Sequence, residues 1–164
     1  MANGRTHKTE IYEIPSVSLA ENGFHLDIIT KLFNAGKLDQ RSMLWLGLAV
    51  QEAVTNSLEH GNLELKSEWK ADIDRNGIDR FSKEKTRRLQ DKKYANRLVK
   101  IQVVYDSQHL EIKIQDEGVG FMTIPIQPLV SDEIFGKGFT LIKAGVDQVQ
   151  VLQDGRGVRL VKWF

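Results

Sequence analysis

Leu46-Gly-Leu-Ala-Val-Gln-Glu-Ala-Val-Thr-Asn-Ser-Leu-Glu-His60 is the stretch that decides the fold. Leu46, Val50, Ala53, Val54 and Leu58 recur three and four residues apart, which is the spacing of a buried helical stripe. Glu52, Asn56 and His60 fall at i, i+4 and i+8, so they line one edge of that helix. Asp39 or Ser42 can cap its start, and Gly61 is its expected stop. A carboxylate one turn from a carboxamide has two readings. It is the wet side of an amphipathic helix, or it is a site where Asn56 offers a hard oxygen to Mg²⁺ and Glu52 orients or deprotonates whatever attacks a terminal phosphate.

Before this helix, Ile11-Tyr-Glu-Ile14 reads as a short strand closed by Pro15. Leu26, Ile29, Leu32 and Phe33 mark a helix from Leu26 to Ala35, stopped by Gly36. After the central helix, residues 62 to 97 are polar and charged, with Phe81, Leu89 and Tyr94 as sparse apolar points, and read as an insertion with one charged helix. Val99, Ile101, Val103 and Tyr105 alternate, as do Leu110, Ile112 and Ile114 beyond a turn at Asp106-Ser107, which predicts a hairpin. Residues 121 to 135, punctuated by Pro125 and Pro128, read as a loop. A short helix is expected from Gly138 to Ala144, then a strand pair around Val149–Val151 and Val158–Leu160 that turns near Asp154-Gly155. This order predicts one α+β domain over residues 1–164, a two-layer sandwich with helices on one face of a largely antiparallel sheet.

The period of two places Asp116 on the same face as Leu110, Ile112 and Ile114, where a carboxylate must find a partner. Glu117-Gly118-Val119-Gly120 follows at once. The group is a turn after a strand, for which Asp-x-Gly is ordinary, or it is an adenine pocket, with Asp116 accepting from an exocyclic amine and Gly118 and Gly120 clearing room for the ring. Gly136-Lys137-Gly138 stands where the last helix is expected to open. Free N–H groups, glycines and a lysine at a helix start suit a phosphate, although such junctions also occur without one.

Taken together and in this order, the three groups resemble the N-box, G1 box and G2 box of the GHKL superfamily of ATPases, the Bergerat fold shared by gyrase, chaperone, mismatch-repair and histidine-kinase ATPases. The Glu-His-Gly-Asn ending of the first group is most similar to the small branch containing the anti-sigma-factor serine kinases. The resemblance spans about Ile11 to Phe164. It implies a mainly antiparallel mixed sheet with helices on one face, ATP and Mg²⁺ as cofactors, Glu52 as the catalytic carboxylate and Asn56 as the Mg²⁺ ligand. It also implies that Asp116 reads the adenine amine, that Gly118 and Gly120 shape the pocket, and that Gly136, Lys137 and Gly138 meet the phosphates. No role is assigned to His60, which reads as a satisfied helix-end histidine. Family members carry a small hydroxyl residue in the final hairpin, where this chain has Arg156 between Gly155 and Gly157; this puts adenine affinity in question or turns the cation outward.

None of His7, His25, His60 and His109 lies on a long helical hairpin before the ATPase core, so self-contained histidine phosphorylation is not expected. The short 121–135 segment resembles the lid of the serine kinases. The resemblance implies a Mg·ATP-dependent serine/threonine protein kinase in a partner-switching circuit, with a sigma factor or an antagonist-like protein as partner and a homodimer as its form. The alternative is an ATP-dependent binding switch without phosphotransfer.

Bulk composition excludes several other classes. The chain has no cysteine, which removes disulfides and thiolate chemistry and fits a reducing compartment. Met1 to Pro15 lacks the apolar stretch of a secretion signal, and no run approaches the ~20 apolar residues of a membrane helix, so a cytoplasmic protein with no membrane contact is expected. A net charge of +1 argues against nucleic acid as a partner. Lys66 to Lys100 holds twelve Lys or Arg against six Asp or Glu. That run reads as a solvated helical face ahead of a binding patch, because Trp69, Phe81 and Tyr94 are too few for base stacking.

Overall fold

The computed structural model describes residues 7–120, 132–152 and 155–164, with the side chains of 132–137 outside that description. The expected 121–135 loop therefore lies largely outside the described residues, as does Asp154 in the last turn. Five strands, β1 (Lys8–Pro15), β2 (Leu98–Tyr105), β3 (His109–Gln115), β4 (Gln148–Val151) and β5 (Gly157–Trp163), form one sheet in the order β1-β2-β3-β5-β4. Every pairing among the described strands is antiparallel. The predicted hairpin sets Ile101 opposite Ile114 and Val103 opposite Ile112. On the other side of β3, Ile112 faces Leu160. One sheet face thus gathers the alternating apolar residues, all buried, while Lys100, Gln102 and Lys113 point the other way.

The helical layer covers that apolar face. It comprises α1 (Ser16–Asn22), α2 (Asp27–Asn34), α3 (Gln40–Asn56), α4 (Arg80–Gln90), α5 (Lys92–Ala95) and α6 (Asp132–Gly145). The expected two-layer α+β sandwich is present. Asp39 caps α3, its carboxylate accepting from Ser42 N at 2.6 Å. Leu46, Ala49, Val50, Ala53, Val54 and Leu58 form the buried stripe of α3 and its extension. Helix α1 was not expected from the sequence, because its single buried leucine, Leu19, gives no periodic signal.

Two boundaries differ from expectation. Gly61 does not stop the central helix, which continues as a π-helical turn over Ser57–Asn62, closed by Leu63 N donating to Leu58 O at 2.8 Å. Helix α6 starts at Asp132, so Gly136-Lys137-Gly138 lies within it and does not open it. A glycine inside a helix costs about 1 kcal/mol, which is small beside the burial of Phe139, Ile142 and Val146 on the following turns. The two helices run antiparallel in close contact. A Cβ on Gly145 would meet Trp45 O at 2.2 Å, and one on Gly138, two turns earlier, would meet the Glu52 carboxylate.

The insertion is more structured than one charged helix. A 3-10 turn at Ser67–Lys70 precedes α4 and α5. Its cations are mostly spent on neighbouring carboxylates: Arg80 on Asp72, Lys83 on Asp74, Arg87 and Arg88 on Glu84, Lys85 on Glu59, Arg97 on Glu64. This pairing offsets much of the charge of the basic run within the fold itself. Among the described residues, no helix is long and apolar enough to cross a membrane.

Candidate functional site

A groove of about 1020 Å³ runs along the exposed edge of α3. That volume is at the upper end of the usual range for ligand pockets. Glu52, Asn56 and His60 line it, as their i, i+4, i+8 spacing requires, together with Asp116, Val119, Gly138, Phe139, Gly157 and Val158. The structure thus brings the N-box pair, the aspartate after β3 and one glycine of the third motif to a single cavity. Gly118 is not a lining residue but packs against Gly61 and Asp116, and Gly120 adopts a positive φ of 76° just before the segment outside the description. Gly136 belongs to the backbone of α6, and the side chain of Lys137 lies outside the described residues.

The π-helical turn shapes one end of the groove. Its wider winding stacks residues five apart, so Gly61 comes beneath Asn56 instead of turning away from it. There the Asp116 carboxylate occupies the space where a side chain would begin: a Cβ on Gly61 would lie 2.3 Å from the Asp116 Cγ. A Cβ on Gly118 would lie 2.3 Å from the carbonyl oxygen of Gly61. Only glycine at both positions lets helix, carboxylate and loop approach this closely. Asp116 is 8% exposed, and one of its oxygens accepts from Gly118 N at 3.0 Å. A buried carboxylate lining a groove is a group type that accepts from an amine-bearing ring.

Sequence reasoning missed Asn62 as a functional position. It is fully buried, its amide oxygen accepts from Glu117 N at 2.7 Å and its amide nitrogen donates to Ser16 Oγ at 3.0 Å. Arg97 donates to the Asn62 carbonyl at 2.6 Å. Asn62 therefore clamps the loop that carries Asp116 and Gly118 to the end of the central helix. A buried asparagine directly after a helix glycine was the available signal. His60 Nδ1–H donates to Leu65 O at 2.7 Å, which accounts for it as a satisfied helix-end histidine lining the groove.

Arg156 is exposed and borders a separate depression of about 500 Å³ with Lys100, Gln115, Glu117 and Asp116, while its neighbour Gly157 lines the groove itself. Its carbonyl accepts from Asp116 N at 3.2 Å. Gly157, at φ 129°, passes so close to β3 that a Cβ would meet Ile114 O at 2.0 Å. Gly157 and Val158 thus line the groove, while Arg156 between the two glycines borders the separate depression.

The groove fits a nucleotide by its donor set and size. Among the described residues, no three His, Cys, Asp or Glu side chains are placed to hold a metal ion. A Mg²⁺ held here would take the Asn56 oxygen, phosphate oxygens and waters, a mode that suits Mg²⁺. Residues 25–162 match the family described as the histidine kinase-like ATPase domain. No curated protein matches the chain. Three sequence motifs gathered on one groove, in an antiparallel sandwich of this order, agree with that match across most of the length: the chain belongs to the histidine kinase-like ATPase domain family, whose fold binds ATP.

Proposed function

We propose that the protein is a Mg·ATP-dependent serine/threonine protein kinase that acts on a small protein partner in a partner-switching circuit of the anti-sigma-factor kind. The observation that carries this reading is the placement of Glu52. It lies on the groove edge one helical turn from Asn56, and Asn56 stands between it and the Gly61–Asp116–Gly118 end. If Asp116 takes the adenine amine and Asn56 the metal, Glu52 stands at the terminal phosphate. Bound ATP supplies the phosphoryl group. Asp116 would accept a hydrogen bond from the ring amine, Gly118 and Gly120 would leave room for the ring, and the Gly136–Gly138 segment of α6 would flank the phosphates. Glu52 would accept the proton released as the partner's Ser or Thr hydroxyl oxygen is phosphorylated, which makes it the catalytic carboxylate.

A second reading keeps ATP binding and omits transfer. It is favoured by the contact of the Glu52 carboxylate with Gly138, where a Cβ would lie 2.0 Å from Oε1. Through this contact, a nucleotide that moved Glu52 would be felt by α6, and binding alone could alter a partner surface. Glu52→Ala separates the two. If the variant keeps ATP affinity but loses phosphate transfer to a co-purified partner, the protein is a kinase. If wild type transfers no phosphate to that partner yet its partner affinity follows ATP, the switch reading replaces it. Asn56→Ala and Asp116→Asn, titrated with ATP with and without Mg²⁺, test the site itself. Unchanged affinity and Mg²⁺ dependence would remove these assignments.

A further inference from the structure

The insertion walls the groove at its Gly61–Asp116 end, where the Leu65 carbonyl accepts from His60 and Lys70 Nζ lies 4.5 Å above the Phe81 ring. The Glu52 end is bounded differently. Glu52, Asn56 and His60 belong to one row of residues four apart, and that row continues toward the N-terminus of α3 as Leu48 and Leu44. Leu48 is 41% exposed and Leu44 58%, and neither lines the groove. Gly47 keeps this ledge open, since nothing lies within 4 Å of a Cβ there. Single exposed leucines are ordinary. Two in succession, on the row that leads to the carboxylate assigned to take the hydroxyl proton, make an apolar approach to it.

Geometry then decides what can use this approach. A nucleotide bound in the groove lies on the Asn56 side of Glu52, so a phosphoacceptor has to reach Glu52 from outside the groove. Four helical residues rise about 6 Å, which puts Leu48 and Leu44 about 6 and 12 Å from Glu52 along the helix. An extended segment advances about 3.3 Å per residue and turns alternate side chains to one side. With its Ser or Thr at Glu52 and its chain along the row, the side chains two and four positions away fall on Leu48 and Leu44.

We propose that Leu44 and Leu48 form the docking ledge for the protein substrate, selecting an extended segment with apolar residues two and four positions from its Ser or Thr. The inference rests on the kinase reading and names the class of substrate that the same site takes. Both leucines are exposed, so Leu44→Ser, Leu48→Ser and the double variant should fold, which thermal denaturation checks.

The test is steady-state phosphate transfer from Mg·ATP to the protein partner by the full chain, with Ile11→Ser, at an exposed apolar position on β1, as control. Fully burying a leucine is worth roughly ten- to a hundredfold, and about half of each side chain remains to be buried. Each single variant should therefore raise KM for the partner about fivefold and the double variant about twentyfold, with kcat and ATP affinity unchanged. Leu48→Met and Ile11→Ser should match wild type. Serine at the partner's two apolar positions should raise KM to a similar extent, and should add little in the double variant. KM equal to wild type in the double variant, or a loss shared by Ile11→Ser, would overturn the proposal and leave the kinase reading in place. A double variant that binds ATP more weakly, or that changes the sedimentation of the free protein, would assign the leucines to the nucleotide site or to a second copy, and would overturn it too. A wild type that binds ATP yet transfers phosphate to no protein would remove the kinase reading, and this inference with it.

Discussion

Replacing Gly61 by alanine sets local propensity against tertiary packing. Gly61 lies in a helical turn, and alanine there gains about 1 kcal/mol of propensity over glycine. The new Cβ, however, would sit 2.3 Å from Asp116 Cγ and 2.6 and 2.7 Å from its two oxygens. Ordinary contact begins near 3.4 Å, so the carboxylate would have to retreat by about 1 Å. It has little room to do so, since Gly118 N holds one oxygen and Asp116 N is tied to Arg156 O. Overpacking of this kind costs about 1–3 kcal/mol. The net change is a destabilisation of up to about 2 kcal/mol, or a fall in Tm of up to about 8 °C for a domain of this size. Gly47→Ala in α3 is the control, because nothing lies within 4 Å of its Cβ; it should gain about 1 kcal/mol and raise Tm by about 2–4 °C. Thermal denaturation and ATP titration of the two variants together make the assay. Displacing Asp116 should also weaken ATP about ten- to a hundredfold, the worth of a hydrogen bond to a charged group. If Gly61→Ala gains as much Tm as Gly47→Ala and binds ATP like wild type, the close approach of Gly61 and Asp116 is not a feature of the folded protein.

Two further outcomes are expected. Gly138→Ala places a Cβ 2.0 Å from Glu52 Oε1, the end of a flexible side chain, so folding should tolerate it while Glu52 is displaced. ATP affinity should stay within about threefold of wild type while transfer to the partner falls about a hundredfold, the usual worth of a positioned base; equal losses in binding and transfer would contradict this. Asp106 is held down to about 2 from its ordinary 3.8, chiefly by the backbone N–H of Gln108 at 2.7 Å and then by that of His109. Because its folded pKa is depressed, the stabilisation it provides is complete above about pH 4 and is lost as pH falls toward 2. In urea denaturation, the stability advantage of wild type over Asp106→Asn should be constant above pH 4 and shrink below it. An advantage that did not change between pH 4 and 2 would count against the assigned contacts.

Much of the architecture could be read locally. The stripe of α3, the Asp39 cap and the alternation of β2 and β3 all follow from periods that repeat within a few residues, and each is found in the fold. The strand period alone likewise puts Asp116 in phase with Ile112 and Ile114, on the inner face where it is found buried. The Glu52–Asn56 edge needed only helical geometry, because residues four apart share a face whatever surrounds them.

The rest depended on residues far apart in the chain. Gly61 looked like a helix stop, but its lack of a side chain is required by Asp116, 55 residues later. Gly138 looked like the opening of a helix and lies inside α6, where it meets Glu52. Asn62 looked like the first residue of a loop and is the buried clamp on Glu117. The insertion looked like a charged appendage, and it became a wall of the groove only because Phe81, Lys85 and Arg88 fold it back onto the central helix. Sequence by itself determined the periodic elements, the motif order and hence the family. Tertiary structure decided how closely those elements approach and which charges face the groove, because contact distances between segments are set by packing and leave no periodic trace in the chain.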